Sequence, residues 1–553
     1  MRKGVAIGKT RIDTGKHGER VPGWLGRNWP WVALGVIAVL VLVIRLRSLD
    51  VPLERDEGEY AYAGQLILDG VPPYLDARNM KLPGIYAIYA LTMAVFGESV
   101  RGIHLGLIVF NLGSITLLFL LARRLLDDYA AVGAAAVFAL LSASRAVLGQ
   151  SANSEQYQIL PIVAGLMLLL KASESRRALH YLLAGLAFGF AFVVKQQGAP
   201  FVLFGGVYAA CVELRKRPME WPSAVGRLGA YVTGAAVPYG VTCLLMLAFG
   251  VFDQFWFWTF DYARQYGGIL TFKQGWPECL MHLRRITGWA VGLWIFVGVG
   301  FIAIACDRAA RQRWPFYLSL LAFSVVAVSI GFYYRQHYFI LSFPAVALIG
   351  GAGVSWTARL LARIAKPELA LALIAVAVAT TLWQQQVWWF QLSPRDLSRD
   401  TYGANPFVES PVVAKWIKDH SKPGDRILVF GSEPQIYFYA NRRSATGYIY
   451  TYALMEPQKY AEKMQREFAR EVEAVKPRYI VAVRCAMSWL VSPRSNLRVF
   501  DWFGDYTRRY YKLVGVADIV APDHTEYVWG DDALDYEPAS TSVLLIYERN
   551  SGT

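Results

Sequence analysis

The chain has 553 residues, of which 55% are hydrophobic, and its 56 Lys and Arg against 42 Asp and Glu give a formal net charge of +14. Apolar runs of about 20 residues recur along most of the sequence, a pattern typical of polytopic α-helical membrane proteins that excludes an ordinary soluble core. The excess of positive charge indicates cytoplasmic loops and contacts with anionic membrane lipids. The sequence contains no basic stripe with interleaved aromatic residues, so a nucleic-acid partner is not expected. The five cysteines are scattered and show neither a disulfide framework nor the spacing of a zinc site.

The first 30 residues are basic, polar and rich in glycine, and they predict a cytoplasmic N-terminus. The apolar run at 31–44 follows without a small-residue cleavage site, so we expect a retained first helix. Clusters of Lys and Arg after alternate spans, such as Arg123-Arg124 and Arg215-Lys216-Arg217, place one set of loops on the cytoplasmic face with the N-terminus. Length and hydropathy predict about eleven spans in total. They lie near 31–44, 103–121, 131–149, 156–171, 179–194, 199–214, 226–249, 287–305, 315–331, 338–355 and 368–390.

The opposite, extracytoplasmic face then carries the loop at 47–101, in which the acidic cluster Asp56, Glu57 and Glu59 follows the first span. Acidic residues are costly near a bilayer, so this cluster predicts a reaction site or an ion site at the membrane face. Residues 59–68 have helical spacing and end at a turn rich in glycine and proline. We therefore expect amphipathic helices that lie along the membrane surface and hold acids and bases over a cavity.

Polar residues also occur at the extracytoplasmic ends of later spans. Lys195 and Arg335 are cation candidates, because a buried positive charge requires an anion or water, although either residue could simply anchor its helix. His337 and Tyr338 are suited to bind phosphate or sugar hydroxyls, and as interfacial side chains they would need no such function.

After Phe390 the pattern changes, and no later run is long enough to span a bilayer. Residues 391–553 are therefore expected to form a separate extracytoplasmic domain. Short β-type runs preceded by amphipathic helical segments, and a closing strand, predict a small α/β domain. The predicted strands are 426–430, 479–483 and 542–547, and the predicted helices are 412–420 and 457–475.

Seven motifs occur in a fixed order along the extracytoplasmic segments. They are Asp56-Glu57, the proline-rich turn from Gly70 to Asp76, Lys81-Leu82-Pro83-Gly84-Ile85-Tyr86, Ser151 to Glu155, Lys195-Gln196, His337-Tyr338-Phe339, and Phe430 to Tyr437. Singly these motifs are moderately specific, but together they resemble bacterial glycosyltransferase family 39. This group of GT-C membrane transferases includes protein O-mannosyltransferases and the lipid A aminoarabinose transferase. The resemblance runs over most of the chain.

The resemblance implies a GT-C fold, with about 11 transmembrane helices within 31–390 followed by the soluble domain at 391–553. It also implies transfer of a sugar, with inversion, from a polyprenyl-phosphate donor to an acceptor hydroxyl of a lipid, a cell-envelope glycan or a protein. The reaction would take place at the extracytoplasmic face of the bacterial inner membrane. This scheme requires no cofactor, and a divalent cation held by Asp56, Glu57 and Glu59 stays open as an alternative.

By its match to the acidic position of the family, Asp56 is implied as the general base that takes the proton of the acceptor hydroxyl. Glu57 would then shape the site or bind the acceptor. Two structural alternatives stay open. Asp56 could cap the helix that starts near Gly58, and Glu57 could form an interfacial ion pair with Arg55.

Lys81 matches the lysine that precedes Pro-Gly in the family and is implied to bind the donor phosphate. Glu155 matches the second acidic position, where contact with the sugar or the acceptor is implied. Snorkelling of Lys81 to the interface, and stabilisation of a helix start by Glu155, are the structural alternatives. The other candidates for the donor phosphate are Lys195, Arg335 and His337. The other candidates for the sugar or the acceptor are Asn153, Tyr338 and Tyr60.

Two alternative functions stay open. A protein O-mannosyltransferase is the alternative within the enzyme class. A transporter or flippase, in which the same acids relay protons or bind cations, is the alternative from another class. Against transport, the chain shows no inverted hydropathy repeat and carries a soluble domain that transport does not need. On position alone, we hypothesise that the loop at 431–450 recruits the acceptor.

Overall fold

The computed structural model describes residues 25–215, 220–364 and 366–550. The basic segment at 1–24 lies outside the described residues. So do Lys216 and Arg217 of the basic cluster that begins with Arg215. Helices dominate the chain up to residue 391, because a helix satisfies the backbone groups of an apolar run internally. In chain order these helices are α1 Leu25–Arg47, α2 Arg55–Leu68, α3 Gly84–Phe96, α4 Val100–Leu125, α5 Asp128–Ser142, α6 Ser154–Ser175, α7 Ala178–Val194, α8 Ala199–Leu214, α9 Trp221–Ala248, α10 Phe252–Trp256, α11 Ala263–Gly267, α12 Phe272–Gly288, α13 Val291–Cys306, α14 Arg308–Arg311, α15 Trp314–Ser329, α16 Phe343–Ala362 and α17 Leu369–Gln386.

Eight helical segments of the described chain are long and apolar enough to cross a membrane, and the bent pair α12 and α13 makes nine if it forms one span. The helices α3, α5 and α7 are shorter and also apolar. Each span expected from the sequence overlaps one of these apolar helices, although only eight or nine segments of the described chain are long enough to count as spans. The polytopic helical architecture is therefore confirmed.

Two predicted spans differ from the observed helices. The span expected at 131–149 ends as α5, because residues 145–147 form a single 3-10 turn and Leu148 has a positive φ of 55°. The span expected at 287–305 begins only with α13, because the chain bends by 104° between α12 and α13. The two irregular segments are joined by Gln385, which donates to the Trp289 carbonyl at 3.2 Å and accepts from the Ser144 hydroxyl at 3.0 Å.

The C-terminal part is a mixed α/β domain. Its strands are β1 Arg426–Phe430, β2 Arg443–Ser444, β3 Tyr479–Arg484, β4 Tyr511–Ala521, β5 His524–Trp529 and β6 Val543–Arg549. Its helices are α18 Pro394–Tyr402, α19 Ser410–His420, α20 Gln435–Ala440, α21 Tyr452–Met455, α22 Ala461–Val475, α23 Ala486–Trp489 and α24 Arg498–Tyr510. The strands form one sheet in the order β2-β1-β3-β6-β4-β5, with β1 parallel to β2 and β3, and with antiparallel pairing from β3 through β6 and β4 to β5.

The expected small α/β domain is confirmed, and its three predicted strands are β1, β3 and β6. Neither β4 nor β5 was predicted. In β4 the register shifts between Leu513 and Gly515, so the regular alternation of apolar and polar residues is interrupted. In β5 every residue is exposed or only half-buried, as on a sheet edge, and the apolar signal is weak.

The helix α2 lies between the membrane helices and the C-terminal domain. Most of its residues are buried, and one hydrophobic cluster joins the loop at 47–101 to the sheet domain. At Gly58 a Cβ atom would lie 2.6 Å from the backbone nitrogen of Gln435 on α20, so this contact requires glycine. The C-terminal domain thus covers a helix that the sequence placed on the membrane surface, and it lies directly beside Asp56.

Candidate active site

The helix α2 begins with a reciprocal cap. The side chain of Glu54 accepts a hydrogen bond from the Glu57 backbone N–H at 3.2 Å, and Glu57 Oε2 accepts from the Glu54 N–H at 3.2 Å. This capping box fixes the first turn of the helix. The N-cap is therefore Glu54 and not Asp56, which lies inside the first turn with its carboxylate available for other contacts.

Asp56, Glu59 and Lys81 form the centre of the candidate site. The Lys81 ammonium donates to Asp56 Oδ1 at 2.9 Å and to Glu59 Oε2 at 2.8 Å. Tyr450 of the C-terminal domain donates its hydroxyl to the same Asp56 oxygen at 3.1 Å. Asp56 Oδ2 has no hydrogen-bond partner within the described part of the chain, and the Asp56 side chain is 21% exposed, against 1% for Glu59. One accessible carboxylate oxygen is thus left free.

The loop that carries Lys81 is held in place from several sides. Tyr74 donates its hydroxyl to the Lys81 carbonyl at 2.7 Å, and the Gln196 side chain donates to the Met80 carbonyl at 2.6 Å. At Gly84 a Cβ atom would lie 2.5 Å from the carbonyl oxygen of Val193, at the end of α7. The glycine of the Lys-x-Pro-Gly motif therefore allows the loop to pack directly against the segment that carries Lys195.

Electrostatics distinguish the two acids beside Lys81. Burial alone would raise the pKa of Asp56, but the Lys81 ammonium prevails and lowers this pKa below its usual value. Burial raises the pKa of Glu59 despite the same lysine, and Asn79 and Tyr86 donate to its oxygens at 2.8 Å and 2.6 Å. Of the two acids that contact Lys81, Asp56 is therefore the one that its surroundings hold more firmly in the ionised form.

A second buried ion pair lies where α6 begins and α7 ends. Lys195 Nζ donates to Glu155 Oε1 at 2.5 Å, and the same oxygen lies 4.0 Å from His337 Nε2. The Lys195 ammonium also lies 4.6 Å from the ring centroid of Tyr338. Glu155 is in the first turn of α6, so the helix start and the lysine both stabilise its charge.

The two clusters lie within electrostatic reach of each other. Lys195 interacts with Asp56, and Glu155 interacts with Tyr60. The Tyr60 ring in turn lies 4.6 Å from the Lys81 ammonium. The structure thus brings the predicted residues of the first loop and of the later spans into one site.

Arg335 is the cation of this site that is least neutralised. It lies in the segment between α15 and α16, its side chain is exposed, and its guanidinium lies 5.6 Å from the ring centroid of Tyr333. It forms no ion pair with any acidic residue that the structure describes, whereas Lys81 and Lys195 each have an acidic partner. Arg335 can therefore accept an incoming anion without losing a carboxylate partner.

Glu57 has a different set of partners from Asp56. Its Oε1 accepts from the Ala152 backbone N–H at 2.6 Å and lies 3.0 Å from His104 Nε2 on α4, and its side chain is 1% exposed. Arg55 instead donates to Glu433 of the C-terminal domain at 2.6 Å. The alternative of an ion pair between Glu57 and Arg55 is therefore wrong, because each side chain has a buried partner on another element.

The acids of the first loop do not converge on a metal site. Within the described ranges, no three His, Cys, Asp or Glu side chains form a group that could hold a metal ion. Lys81 bridges Asp56 and Glu59, and Glu57 is engaged by His104 and a backbone N–H. A cation held jointly by Asp56, Glu57 and Glu59 does not fit this arrangement.

Three predicted residues present buried polar atoms without partners. Asn153 is the N-cap of α6, and neither its Oδ1 nor its Nδ2 has a hydrogen bond within the described structure. The Tyr60 hydroxyl and His337 Nδ1 are buried and unpaired in the same way. Because such atoms cost free energy when they stay unpaired, they are suited to receive the hydroxyls or oxygens of a ligand.

The C-terminal domain contributes two residues that the sequence did not identify as members of the site. Tyr450 contacts Asp56, as described above, and Glu456 accepts a hydrogen bond from Tyr262. Burial raises the pKa of Glu456 to about 7, while nearby Arg335 acts in the opposite direction. In the sequence, only the hypothesis on the loop at 431–450 pointed to this part of the C-terminal domain, and the last residue of that loop, Tyr450, contacts Asp56.

The sequence of this chain is similar to one family model and to curated transferases. Residues 80–236, which include Lys81, Glu155 and Lys195, match the family model described as dolichyl-phosphate-mannose-protein mannosyltransferase. Over 182 residues the chain is 32% identical to the undecaprenyl phosphate-alpha-4-amino-4-deoxy-L-arabinose arabinosyl transferase of Pseudomonas aeruginosa (strain UCBPP-PA14). That match covers 31% of this chain and 33% of the relative, so it spans about a third of the length of this curated relative.

Two solved structures of ArnT from Cupriavidus metallidurans are similar over almost the whole chain. The structure bound to undecaprenyl phosphate has a TM-score of 0.55 and 15% identity, and the match covers 95% of this chain and 99% of that one. The apo structure has a TM-score of 0.54 and 16% identity, with coverage of 94% and 98%. At this identity the likeness shows the fold, and the expected GT-C architecture is confirmed.

Proposed function

From the premise that this chain is a GT-C-fold protein similar to aminoarabinosyl and mannosyl transferases, we propose that it is an inverting glycosyltransferase. It moves a sugar from a polyprenyl-phosphate donor to an acceptor hydroxyl at the membrane face that carries Asp56. The observation that best supports this function is the Asp56 carboxylate. One of its oxygens is held by Lys81 and Tyr450, and the other is accessible and free of protein partners in the described structure.

Asp56 acts as the general base in this proposal. Its Oδ2 accepts the proton of the acceptor hydroxyl while the hydroxyl oxygen attacks C1 of the sugar. The bond from C1 to the phosphate oxygen breaks, and polyprenyl phosphate leaves with the bonding electron pair. Attack and departure on opposite sides of C1 invert its configuration. The leaving phosphate gains one negative charge, and the proton on Asp56 is released to solvent afterwards.

The cations of the site stabilise the leaving phosphate. Arg335 is exposed and without an acidic partner in the described structure, so it makes the first contact, with Lys81, Lys195 and His337 deeper in the site. A phosphate that approaches Lys81 competes with Asp56 for the ammonium. Asp56 then loses the interaction that lowers its pKa and becomes a stronger base. The undecaprenyl phosphate bound to the ArnT structure supports a lipid phosphate as the ligand.

The remaining polar residues bind the sugar or the acceptor. Glu155 and Tyr338 both contact Lys195, and Asn153 and Tyr60 present polar atoms that are unpaired within the described structure. Glu57 is a positioning residue in this account, since it fixes the Ala152 N–H immediately before Asn153. By the distribution of Lys and Arg, this face is the extracytoplasmic side of a bacterial inner membrane, and the N-terminus is cytoplasmic.

The experiment that tests this function is release of free polyprenyl phosphate from a panel of polyprenyl-phosphate sugars by the purified full-length protein. Each donor is incubated with and without a membrane extract as the source of acceptor. We expect release with one donor of the panel, dependence on the extract, and a labelled sugar in a glycolipid, a glycan or a protein fraction. The labelled fraction separates the lipid-directed function from protein O-mannosylation.

The same donors are tested with the Asp56→Asn variant. Ion movement is measured separately, with the protein in proteoliposomes. Extract-dependent release by the wild type that is lost in the variant supports the proposal. No release with any donor, together with ion movement that depends on Asp56, would contradict it in favour of the transporter alternative.

A further inference from the structure

A groove outside the candidate active site lies between α12 and the end of α17, where the chain bends by 104° into α13. It has a volume of about 600 Å³. The side chains that define its chemistry are two arginines, two tryptophans and two glutamines. They are Arg284, Arg285, Trp289, Trp383, Gln384 and Gln386.

The groove opens toward the lipid. On α17 the exposed apolar residues Leu369, Leu373 and Val376 recur at helical spacing, and Trp383 continues the same stripe with 73% of its surface exposed. On a helix of this length and hydropathy, such a stripe faces the acyl chains, and a tryptophan at its end marks the level of the headgroups. Trp383 therefore places the groove at the boundary between acyl chains and headgroups.

The helix α12 has the amphipathic pattern of an interfacial helix. Its buried stripe is Gly275, Cys279, His282 and Ile286. A second, exposed stripe is apolar and consists of Phe272, Trp276, Leu280 and Leu283. Because this apolar stripe lies on the outer surface of a membrane protein, α12 is embedded in the interface, and the arginines of its last turns lie at headgroup level.

Neither of the two arginines has an acidic partner among the residues that the structure describes. Both side chains are exposed, and neither Arg284 nor Arg285 forms an ion pair with any acid of the described ranges. The side-chain oxygen of Gln384 is also buried without a hydrogen-bond partner there. A groove with two unpaired guanidinium groups and free amides next to an acyl-chain surface is complementary to an anionic headgroup with an attached lipid tail.

The groove is on the same membrane face as the candidate active site. Arg145 lies 5.0 Å from the ring centroid of Trp289, and Gln385 connects the Trp289 carbonyl with the Ser144 hydroxyl. Residues 144 and 145 belong to the loop that leads into Asn153 and α6. A ligand in the groove would contact Trp289, which in turn contacts the loop that leads to Glu155.

We propose that this groove binds the phosphodiester headgroup of an anionic phospholipid from the leaflet on the side of the candidate active site. Arg284 and Arg285 hold the phosphate, Gln384 and Gln386 bond the polar part of the headgroup, and the acyl chains lie along the apolar stripe of α17. This site is separate from the one that contains Asp56, and its occupancy does not depend on the proposed glycosyl transfer.

Native mass spectrometry of the full-length protein in detergent tests the site, with phosphatidylglycerol and phosphatidylcholine titrated separately. Arg284→Gln/Arg285→Gln should weaken the tightest phosphatidylglycerol binding by about tenfold or more and leave phosphatidylcholine binding unchanged. Arg308→Gln/Arg311→Gln is the matched control, because it removes two exposed arginines without acidic partners in the described structure at the far end of α13. It should leave the tightest binding unchanged.

Three outcomes would overturn the proposal. They are unchanged phosphatidylglycerol affinity in the Arg284/Arg285 variant, equal losses in both double variants, and displacement of the lipid by inorganic phosphate, which would make the ligand a soluble anion. Arg284→Lys/Arg285→Lys shows whether a loss reflects misfolding, since it should restore part of the affinity. As an independent measurement, brominated phosphatidylglycerol should quench tryptophan fluorescence more than brominated phosphatidylcholine, and Trp383→Phe should remove most of that difference.

Discussion

Asp56 and Glu57 are neighbours in the first turn of α2, but their side chains contact two different regions of the molecule. Asp56 is 21% exposed, contacts Lys81 and Tyr450, and has one free oxygen within the described structure. Glu57 is 1% exposed, and both of its oxygens accept hydrogen bonds from backbone N–H groups. The side chains of successive residues in a helix point in directions about 100° apart. One helical turn can therefore present one acid to a substrate and the following acid to the protein scaffold. An acidic pair in a motif is therefore not by itself a catalytic pair.

The largest expected difference between the two regions is in the rate of transfer. Asp56→Asn and Glu57→Gln each replace a carboxylate by the amide of nearly the same size. We expect Asp56→Asn to lower the rate by about 10²–10⁴-fold, because the general base is lost. Glu57→Gln should retain most of the wild-type rate per folded molecule. Steady-state release of polyprenyl phosphate measures the transfer rate of both variants. Similar losses of rate in the two variants would contradict the distinction between a catalytic Asp56 and a structural Glu57.

Lys81→Met should weaken donor binding by about tenfold to a hundredfold, as expected for loss of a hydrogen bond to a charged group. It should also change the pH dependence. The Lys81 ammonium holds the pKa of Asp56 below its usual value, so the base stays ionised until the pH falls through that lowered pKa. Without the ammonium the pKa rises, and activity should be lost at a higher pH.

The pH profile of kcat/KM for Lys81→Met measures this shift. Lys195→Met is the comparison variant: Lys195 pairs with Glu155 and acts on Asp56 only at longer range, without the hydrogen bond that Lys81 donates, so it should move the acid limb less. An acid limb that moves equally in both variants, or in neither, would show that Lys81 does not set the pKa of Asp56.

A smaller effect is expected for Tyr450→Phe, which removes one hydrogen bond to Asp56 and no contact with Glu57. A hydrogen bond to a charged group contributes about 1.5–3 kcal/mol, but Lys81 still holds the same oxygen, so the transfer rate should fall by only about threefold to tenfold. Tyr452→Phe is the control, because the Tyr452 hydroxyl donates to the Met487 carbonyl instead. Equal rates for Tyr450→Phe and wild type would exclude a role of the C-terminal domain in orienting the base.

The smallest effect on rate and the largest on stability are expected for Glu57→Ala. This change leaves the N–H groups of Ala152 and Glu54 without their acceptor and should lower the free energy of unfolding by about 1–3 kcal/mol. Thermal unfolding in detergent measures the loss. Asp56→Ala should shift the Tm less, since the Asp56 carboxylate is partly exposed and accepts only from side chains. A larger loss of Tm in Asp56→Ala than in Glu57→Ala would mean that Asp56 belongs to the scaffold.

Hydropathy was sufficient to locate the membrane helices, because the length of an apolar run is a local property of the sequence. It did not locate the early end of α5 or the 104° bend before α13, because both depend on contacts such as those of Gln385 with Ser144 and Trp289. In the C-terminal domain, the buried strands were predicted, whereas the bulged strand β4 and the exposed edge strand β5 carry no continuous apolar pattern.

The candidate site shows the same division between local and long-range information. The distribution of Lys and Arg along the chain predicted that Asp56, Lys81 and Glu155 lie on one membrane face, and the structure brings their clusters together. Tyr450 is 394 positions from Asp56 in the chain, so its contact follows only from the packing of the C-terminal domain over α2. The same packing buries Arg55 against Glu433, which is why the local ion pair considered for Glu57 does not form.

The most direct test of the catalytic account is single-turnover transfer from a saturating labelled donor by Asp56→Asn, with the Kd of the donor measured on the same protein. We predict that the donor binds at least as tightly as to the wild type, because the phosphate no longer competes with the Asp56 carboxylate for Lys81. Transfer should be slowed by at least about a hundredfold, because the base is missing. Transfer at a rate near that of wild type would contradict the account and show that another group accepts the proton.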